Sequence, residues 1–459
     1  MKHKHYGSLD LSVFKYICVC IISFIAKAST IFYRCPRLPS NSIIVVPVVN
    51  TLGDSTHIFH QSQLIAELES RECHVILTPT APASDVAMAL FDEKYVHFYS
   101  EPLYLMARFL IPKAFRRSSI DHLILYHLRR RLCAAGDAFY SAHGLGVDDI
   151  FGATLKEHQL NLYNKHLELF LKRTPQFFVE LVKYSRLLNL SAFAPGVGSR
   201  TPNPAILHKQ LGITSPYVCM HIKEKIGNQN FPQPREISNR ETYKALINLI
   251  ASRGYTVVEI GAAHPSRTFG NIAGYVNYAN SEFQSIANDI ELIRGCDFYV
   301  GQNSGPYSIA LMFRKPLLML NFIGLPINTV KTPFSLYLIK KIIDKNKGRL
   351  MSVDEYMDSE CFYYNDLVYF SLVERRYAPQ DNTEMEIVSA GEEFLERLSL
   401  YRERGDDSLL NSDQQEDYLR KINPSHLCLY ESRALLAKVN FIGGRRPCLV
   451  GVFLWFLLR

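Results

Sequence analysis

The stretch Cys296-Asp-Phe-Tyr-Val-Gly-Gln-Asn-Ser-Gly-Pro-Tyr-Ser-Ile-Ala-Leu-Met-Phe-Arg-Lys-Pro-Leu-Leu-Met-Leu-Asn321 is the part of the chain whose residue types best suit binding chemistry. Three small polar residues, Asn303, Ser304 and Gly305, stand between an apolar run and a proline. Phe298 to Val300 reads as a buried strand. Pro306 suits the first turn of a helix, because its missing N–H has no intrahelical partner there. Ile309, Ala310 and Phe313 continue at helical spacing until Pro316, and Leu317 to Leu320 reads as the next strand. Such a turn presents backbone N–H groups at the positive end of a helix, which suits a phosphate. An ordinary βα turn accounts for the same residues, and both readings stand at this point.

The elements that must position this turn read as two α/β units. Ser42 to Val49 has a buried-strand pattern, Asn50-Thr-Leu-Gly-Asp54 turns the chain, and His57 to Ser70 carries helical spacing before the strand His74 to Leu77. This βαβ opening implies a parallel sheet. Residues 101–190 are dominated by helical patterns, broken at Ala142-His-Gly-Leu-Gly-Val-Asp148. Residues 192–216, with four prolines, read as the best linker. A second unit follows: strand Tyr217 to Ile222, helix Arg240 to Ser252, and strand Tyr255 to Ile260 closed by Gly261. Then come a short strand Tyr275 to Tyr278 and a helix Ser285 to Gly295. Beyond Ile342 the pattern reads as helical, ending in a long helix over Glu384 to Leu400. The expected division is 1–40 as a membrane-proximal segment, 41–200 and 201–350 as two Rossmann-like domains, and 351–459 as a helical segment with an apolar tail.

Composition narrows the classes. A chain of 459 residues with 47% hydrophobic and 21% charged residues is that of a folded protein with room for two cores. The net charge of +7 is spread along the chain, and no nucleic-acid-reading pattern is present. The ten cysteines form no C-x-x-C pair and no zinc spacing, so reduced core thiols in a reducing compartment are expected, and no metal site. Two apolar runs, Tyr16 to Ala26 and Cys448 to Leu458, adjoin basic residues but fall short of the about 20 residues that span a bilayer. They suggest a peripheral segment at a membrane surface. Ala26-Lys27-Ala28 also resembles a signal-peptidase site, which keeps an export signal as the alternative.

An ordered series of motifs adds to this. It comprises His221-Ile-Lys223, Asn239-Arg240, Gly254-Tyr-Thr-Val-Val-Glu-Ile-Gly261, Asn277-Tyr-Ala-Asn-Ser281, Asp289-Ile-Glu-Leu292 and Cys296 to Gly305. Together these resemble the glycosyltransferases of bacterial surface-polysaccharide clusters. The last is similar to the donor-phosphate loop of heptosyltransferases and the corresponding loop of fucosyltransferases. The resemblance covers about 100 residues, with the tail around Asn382 to Ile387 similar to the family's C-terminal helix. It implies the GT-B architecture: two Rossmann-like parallel-sheet domains facing across a cleft, here with extra N- and C-terminal helices. Two departures stand out. Lys223 takes the place of the family's strand-end Arg, which turns a bidentate fork into a point charge, and Glu259 replaces a second Arg.

The resemblance implies transfer of a sugar from a nucleotide-sugar donor to a lipid-linked or polysaccharide acceptor, on the inner face of the cytoplasmic membrane. Metal-dependent transferases often hold the departing diphosphate through Asp-x-Asp, and this chain contains none. A clamp without metal or other cofactor is therefore expected, built from Lys223, Arg240 and the Asn303-Ser304-Gly305 amides. The alternative for Arg240 is an exposed residue pairing with Glu236 or Glu241. His221 and Gly261 are expected to line the donor site, with Ser281, Glu282 and Ser285 at the ribose or base; a plain helix cap at Ser281 is the rival reading. A general base is needed from the first domain, for which Asp54 and His57 are the candidates, with His60 and His143 behind them. A pyruvyl-type transferase and an inactive membrane-surface scaffold remain as alternatives, because function lives in sites rather than folds.

Overall fold

The computed structural model describes residues 42–46, 70–78, 83–99, 203–213, 216–224, 236–263, 269–323, 335–352 and 376–404, with Glu355 and scattered positions between 55 and 67. Asp54, His57, His143, the helical reading of 101–190, the segment 1–40 and the apolar tail lie outside the described residues. The chain divides into two compact units, Met1–Gln159 with Pro195–Arg200, and Leu160–Ala194 with Thr201–Arg459.

In the first unit, β1 (Ile43–Val45), β2 (Cys73–Leu77) and β3 (Val96–Phe98) form a parallel sheet in that order. Helix α1 (Ala83–Leu90) connects β2 to β3. The described positions between 55 and 67 are helical, as the periodicity requires, and His60 among them is fully buried. All five residues of β2 are buried, the pattern of a central parallel strand rather than an alternating one.

The second unit opens with α2 (Pro204–Leu211), inside the stretch expected to be linker. Asn203 caps it by accepting from Ala205 N at 3.0 Å, Pro204 opens it, and Gly212 closes it in the left-handed region at φ 68°. The prolines there bracket a helix instead of preventing one. Next come β4 (Tyr217–Met220), a 3-10 turn Arg240–Tyr243, α3 (Lys244–Ser252), β5 (Thr256–Glu259) and β6 (Tyr275–Val276). A 3-10 turn Tyr278–Asn280, α4 (Ile286–Gly295), β7 (Tyr299–Gly301), α5 (Gly305–Met312), β8 (Leu317–Phe322) and β9 (Ser335–Ile339) complete the main sheet. Its order is β6-β5-β4-β7-β8-β9 and every pairing is parallel. Counted along the chain, that is the 3-2-1-4-5-6 order of a doubly wound nucleotide-binding sheet, which reverses between β4 and β7.

Side chains alternate across this sheet. Val218, Met220, Val257, Val300, Leu318 and Leu320 share one core cluster with Leu246 and Ile250 of α3 and with Ile387, Phe394 and Leu398. The last three belong to α6 (Glu384–Arg404), whose buried residues recur at helical spacing. Thr383 and Glu386 form a reciprocal capping box at its start, at 2.9 and 3.3 Å. Tyr217, Cys219 and Tyr299 face the other way, where the Tyr217 hydroxyl donates to Leu292 O of α4 at 2.9 Å. Cys219 and Cys296 are buried free thiols.

Beyond Ile342 the structure departs from the helical reading. β10 (Lys341–Asp344) pairs antiparallel with both β11 (Arg349–Leu350) and β12 (Tyr377–Gln380), and only then does α6 begin. Ile339, Ile342 and Ile343 satisfy helical spacing as well as a strand, and pairing with residues 35 or so positions away decides for the strand. Two reciprocal amides tie this region back to the main sheet. Asn321, at φ 48°, and Asn382 exchange backbone–side-chain bonds of 2.8 and 2.6 Å, while Asn321 Nδ2 donates to the Tyr243 hydroxyl at 3.0 Å.

Candidate functional site

In an open parallel sheet the carboxyl ends of the strands on either side of the reversal diverge and leave a crevice. Here those ends are His221 to Glu224 after β4 and Gly301 to Gly305 after β7. Gln302, fully buried, joins them: its Oε1 accepts from Lys223 N at 2.5 Å. Lys223 O accepts from Ile237 N at 2.9 Å, so the backbone at Lys223 is held from both sides and its half-buried side chain springs from a fixed point.

His221 and Gly261 are brought into direct contact. Gly261 ends the β5 loop at φ +116°, a conformation that L side chains rarely adopt. A Cβ there would lie 2.6 Å from His221 Cδ2 and 2.9 Å from Nε2. The glycine is required twice, once by its backbone and once by the imidazole packed over it.

The turn after β7 has a more structural role than its sequence suggests. Asn303 spends its amide on the end of β8, donating to Ile323 O at 3.0 Å and accepting from Ile323 N at 3.1 Å. Ser304 is the N-cap of α5 by position, yet its hydroxyl donates back to Gln302 O at 3.2 Å and makes no capping bond to the helix. What the turn can offer an anion is therefore the α5 backbone, starting at Gly305, rather than the two polar side chains.

Arg240 is neither exposed nor paired with Glu236 or Glu241. It is 5% exposed, and its Nη2 bonds both carboxylate oxygens of Glu259 at 2.9 and 2.7 Å. Its guanidinium stacks on Phe269 at 4.3 Å, Nη1 lies 3.8 Å from Glu224 Oε2, and the Tyr275 hydroxyl donates to Glu259. Glu259, at 1% exposure, ends the second strand of the sheet and is the counter-ion of Arg240. Nε and Nη1 of Arg240 are buried without a hydrogen-bond acceptor. The guanidinium thus has two unused donors, but its charge is already offset.

Ser281, Glu282 and Ser285 lie on the β6–α4 connection. Ser281 Oγ donates to Tyr278 O at 2.8 Å, Glu282 is exposed, and Ser285 is the helix cap, accepting from Asn288 N at 3.1 Å. The rival reading of Ser281 as a plain helix cap is thus overturned, since the cap is Ser285 where the helix was expected to start.

The sequence reading assigned no role to Asp289. It is 3% exposed in the first turn of α4, within hydrogen-bonding reach of the Tyr278 hydroxyl and the Gly261 N–H. Burial pushes its carboxyl up to about 8, against the smaller opposing pull of those two donors. An acid at helical spacing from Ile286, Leu292 and Ile293 was the available signal, and its burial was not readable from spacing. Among the described residues no group of three or more metal-ligating side chains is present, and no helix is long and apolar enough to cross a membrane.

No family model matches the chain and no curated protein does. Among solved structures, the chain is similar to the bacterial iron-containing dodecameric glycosyltransferase TibC from enterotoxigenic E. coli H10407, at 14% identity over 78% of this chain and 77% of that one, TM-score 0.34. It is also similar to the dodecameric iron-containing heptosyltransferase TibC in complex with ADP-D-beta-D-heptose, at 18% identity over 40% and 46%, TM-score 0.23. A third is a glycosyl transferase of family 9 from Veillonella parvula DSM 2008, at 10% identity over 78% and 98%, TM-score 0.38. Overlaps of that extent carry no argument about this chain.

Proposed function

We propose that this chain is a glycosyltransferase of the GT-B kind, taking its nucleotide-sugar donor in the unit that contains β4 to β9. The observation that carries the reading is the doubly wound sheet whose reversal between β4 and β7 is lined by His221, Lys223, Gly261 and the start of α5. The nucleotide diphosphate sits against the α5 backbone amides at Gly305, with Lys223 supplying a positive point charge as the bond from sugar to phosphate breaks. Arg240 contributes at most its unused Nε and Nη1 donors, because Glu259 balances its charge. His221 and Gly261 form the wall beside the donor, and the segment from Ser281 to Ser285, with Glu282 and Ser285 exposed, stands at the ribose or base. Asp54 or His57 in the first unit removes the acceptor's proton. The clamp works without a divalent ion or other cofactor, for which the absence of Asp-x-Asp is the support.

The acceptor is a lipid-linked or polysaccharide glycan, met at the inner face of the cytoplasmic membrane through the short apolar and basic ends of the chain. One observation favours the rival reading of an inactive scaffold: the Arg240–Glu259 pair removes a full positive charge from the proposed clamp. Incubating the full chain and membranes with labelled ADP-, GDP-, UDP- and CMP-sugars tests the choice. Label passing into a lipid or polymer fraction supports transfer. Absence of both transfer and donor hydrolysis with every nucleotide overturns it.

A further inference from the structure

Asp289 is a buried acid that the proposed chemistry does not use, and its surroundings constrain its proton. Gly261 N–H reaches the carboxyl from β5 and the Tyr278 hydroxyl reaches it from the 3-10 turn, while Oδ1 is buried with no partner. Tyr278 has one proton to give. Its oxygen accepts from Ser285 N at 2.9 Å and lies 3.1 Å from Ser285 O. If that proton goes to Ser285 O, a carboxylate at Asp289 keeps one donor for its two oxygens, in a place with 3% exposure. If it goes to Asp289, Ser285 O loses its bond. A neutral carboxylic acid removes the conflict: its O–H donates to Tyr278, Tyr278 donates to Ser285 O, and the unpartnered Oδ1 then carries no full charge.

The other groups facing Asp289 are Cys219 on β4, Tyr299 on β7 and, across Gly261, His221. Cys296 adjoins Cys219, and Glu291 and Arg294 on the same helix pair with each other at 2.5 Å. Burial raises the Cys219 thiol and the Tyr278 and Tyr299 phenols, which stay neutral where Asp289 titrates. No cation among the described residues holds Asp289 in its charged form.

We propose that Asp289 is a positioning residue of the nucleotide site: as a neutral acid it fixes Gly261, and through Gly261 the seat of the His221 ring, and its ionisation loosens that seat. This rests on reading the crevice as a nucleotide site. The link is steric as well as electronic, because the imidazole occupies the space where a Cβ at Gly261 would stand, so the ring packs directly over the glycine. Loss of the acid proton therefore acts on the wall of the crevice and not only on the core.

The test is calorimetric titration of the full chain with ADP, GDP, UDP and CMP from about pH 6.5 to about pH 9.5. Wild type is expected to lose affinity at least about tenfold across the alkaline half of that range, the size of effect that about 1.4 kcal/mol represents. Asp289→Asn, which cannot ionise, is expected to give a flat alkaline profile whatever its absolute affinity. A merely structural role would lower affinity at every pH and leave the slopes alike. An alkaline slope shared by wild type and Asp289→Asn, or a flat wild-type profile, overturns the proposal while the nucleotide reading stands. Wild type that binds none of the four at any pH overturns both. Should Asp289→Asn not fold, infrared spectra of aspartate-13C-labelled wild type decide the protonation: the proposal requires a protonated-carboxyl band at about pH 7 that disappears by about pH 9.5, and its absence at about pH 7 overturns it.

Discussion

Separating Arg240 from Glu259 should damage the second unit far more than an ion pair near a helix start would suggest. Both partners are nearly solvent-free, at 5% and 1% exposure, and Nη2 holds both carboxylate oxygens within 2.9 Å. Removing one partner of such a pair leaves an uncompensated buried charge, which costs about 3–5 kcal/mol. Glu259→Leu leaves the guanidinium with Phe269 and a distant Glu224; Arg240→Met leaves the buried carboxylate without its guanidinium counter-ion. Each should lower stability by an amount in that range. The double variant Arg240→Met/Glu259→Leu should recover most of the loss, since a buried pair is often no better than apolar residues of similar volume. Native-state hydrogen exchange of the β4 and β5 amides, in the full chain, reads these differences where they arise. Single-variant losses below about 1 kcal/mol, the range of a surface pair, would refute the argument. So would a double variant as damaged as the sum of the singles.

Three further outcomes follow from the same geometry. Gly261→Ala introduces a Cβ 2.6 Å from His221 at φ +116°, and should cost about 1–3 kcal/mol along with nucleotide affinity; an unchanged melting temperature and affinity would contradict the packing described. Folded Asp289 keeps its proton to about 8 against an ordinary 3.8, so between those values the folded state holds one proton more than the unfolded chain. Stability should fall as pH rises through that window, by about 1.4 kcal/mol for each pH interval, and level off above it. Thermal melts of wild type and Asp289→Asn that stay parallel from about pH 4 to about pH 9 would count against it. Sugar transfer should persist in EDTA, and transfer that vanishes there and returns with Mg²⁺ or Mn²⁺ would overturn the metal-free clamp.

The sequence made the sheet of the second unit legible because its strands are short apolar runs bounded by Gly261, the Gly301–Gly305 turn and, ahead of Leu317, Pro316, each with a definite local geometry. The long helix α6 was legible for the same reason, its apolar residues recurring at helical spacing. The helix α2 was hidden by its own punctuation: Pro204 and Gly212 are a start and a stop signal, but among so many prolines they resemble a linker. β10 to β12 were hidden because the isoleucines around 342 fit two periods, and only pairing with Ala378 and Pro379 selects one. Spacing put His221, Lys223, Gly261 and Gly305 at the carboxyl edge of the sheet, since all follow strand ends. It could not show that Arg240 turns inward to Glu259, because that choice is made by a strand 19 residues away rather than by the adjacent acids. Nor could it show that Asn303 is committed to Ile323, 20 residues on.

The central claim is that the crevice between β4 and β7 holds a nucleotide diphosphate against the start of α5. Calorimetric titration of wild type and Gly305→Val with ADP, GDP and UDP tests it most directly, because a side chain at Gly305 blocks the approach to the helix amides. The account predicts that wild type binds at least one of them and that folded Gly305→Val loses most of that affinity. Equal affinity in the folded variant, or no binding by wild type, would contradict it.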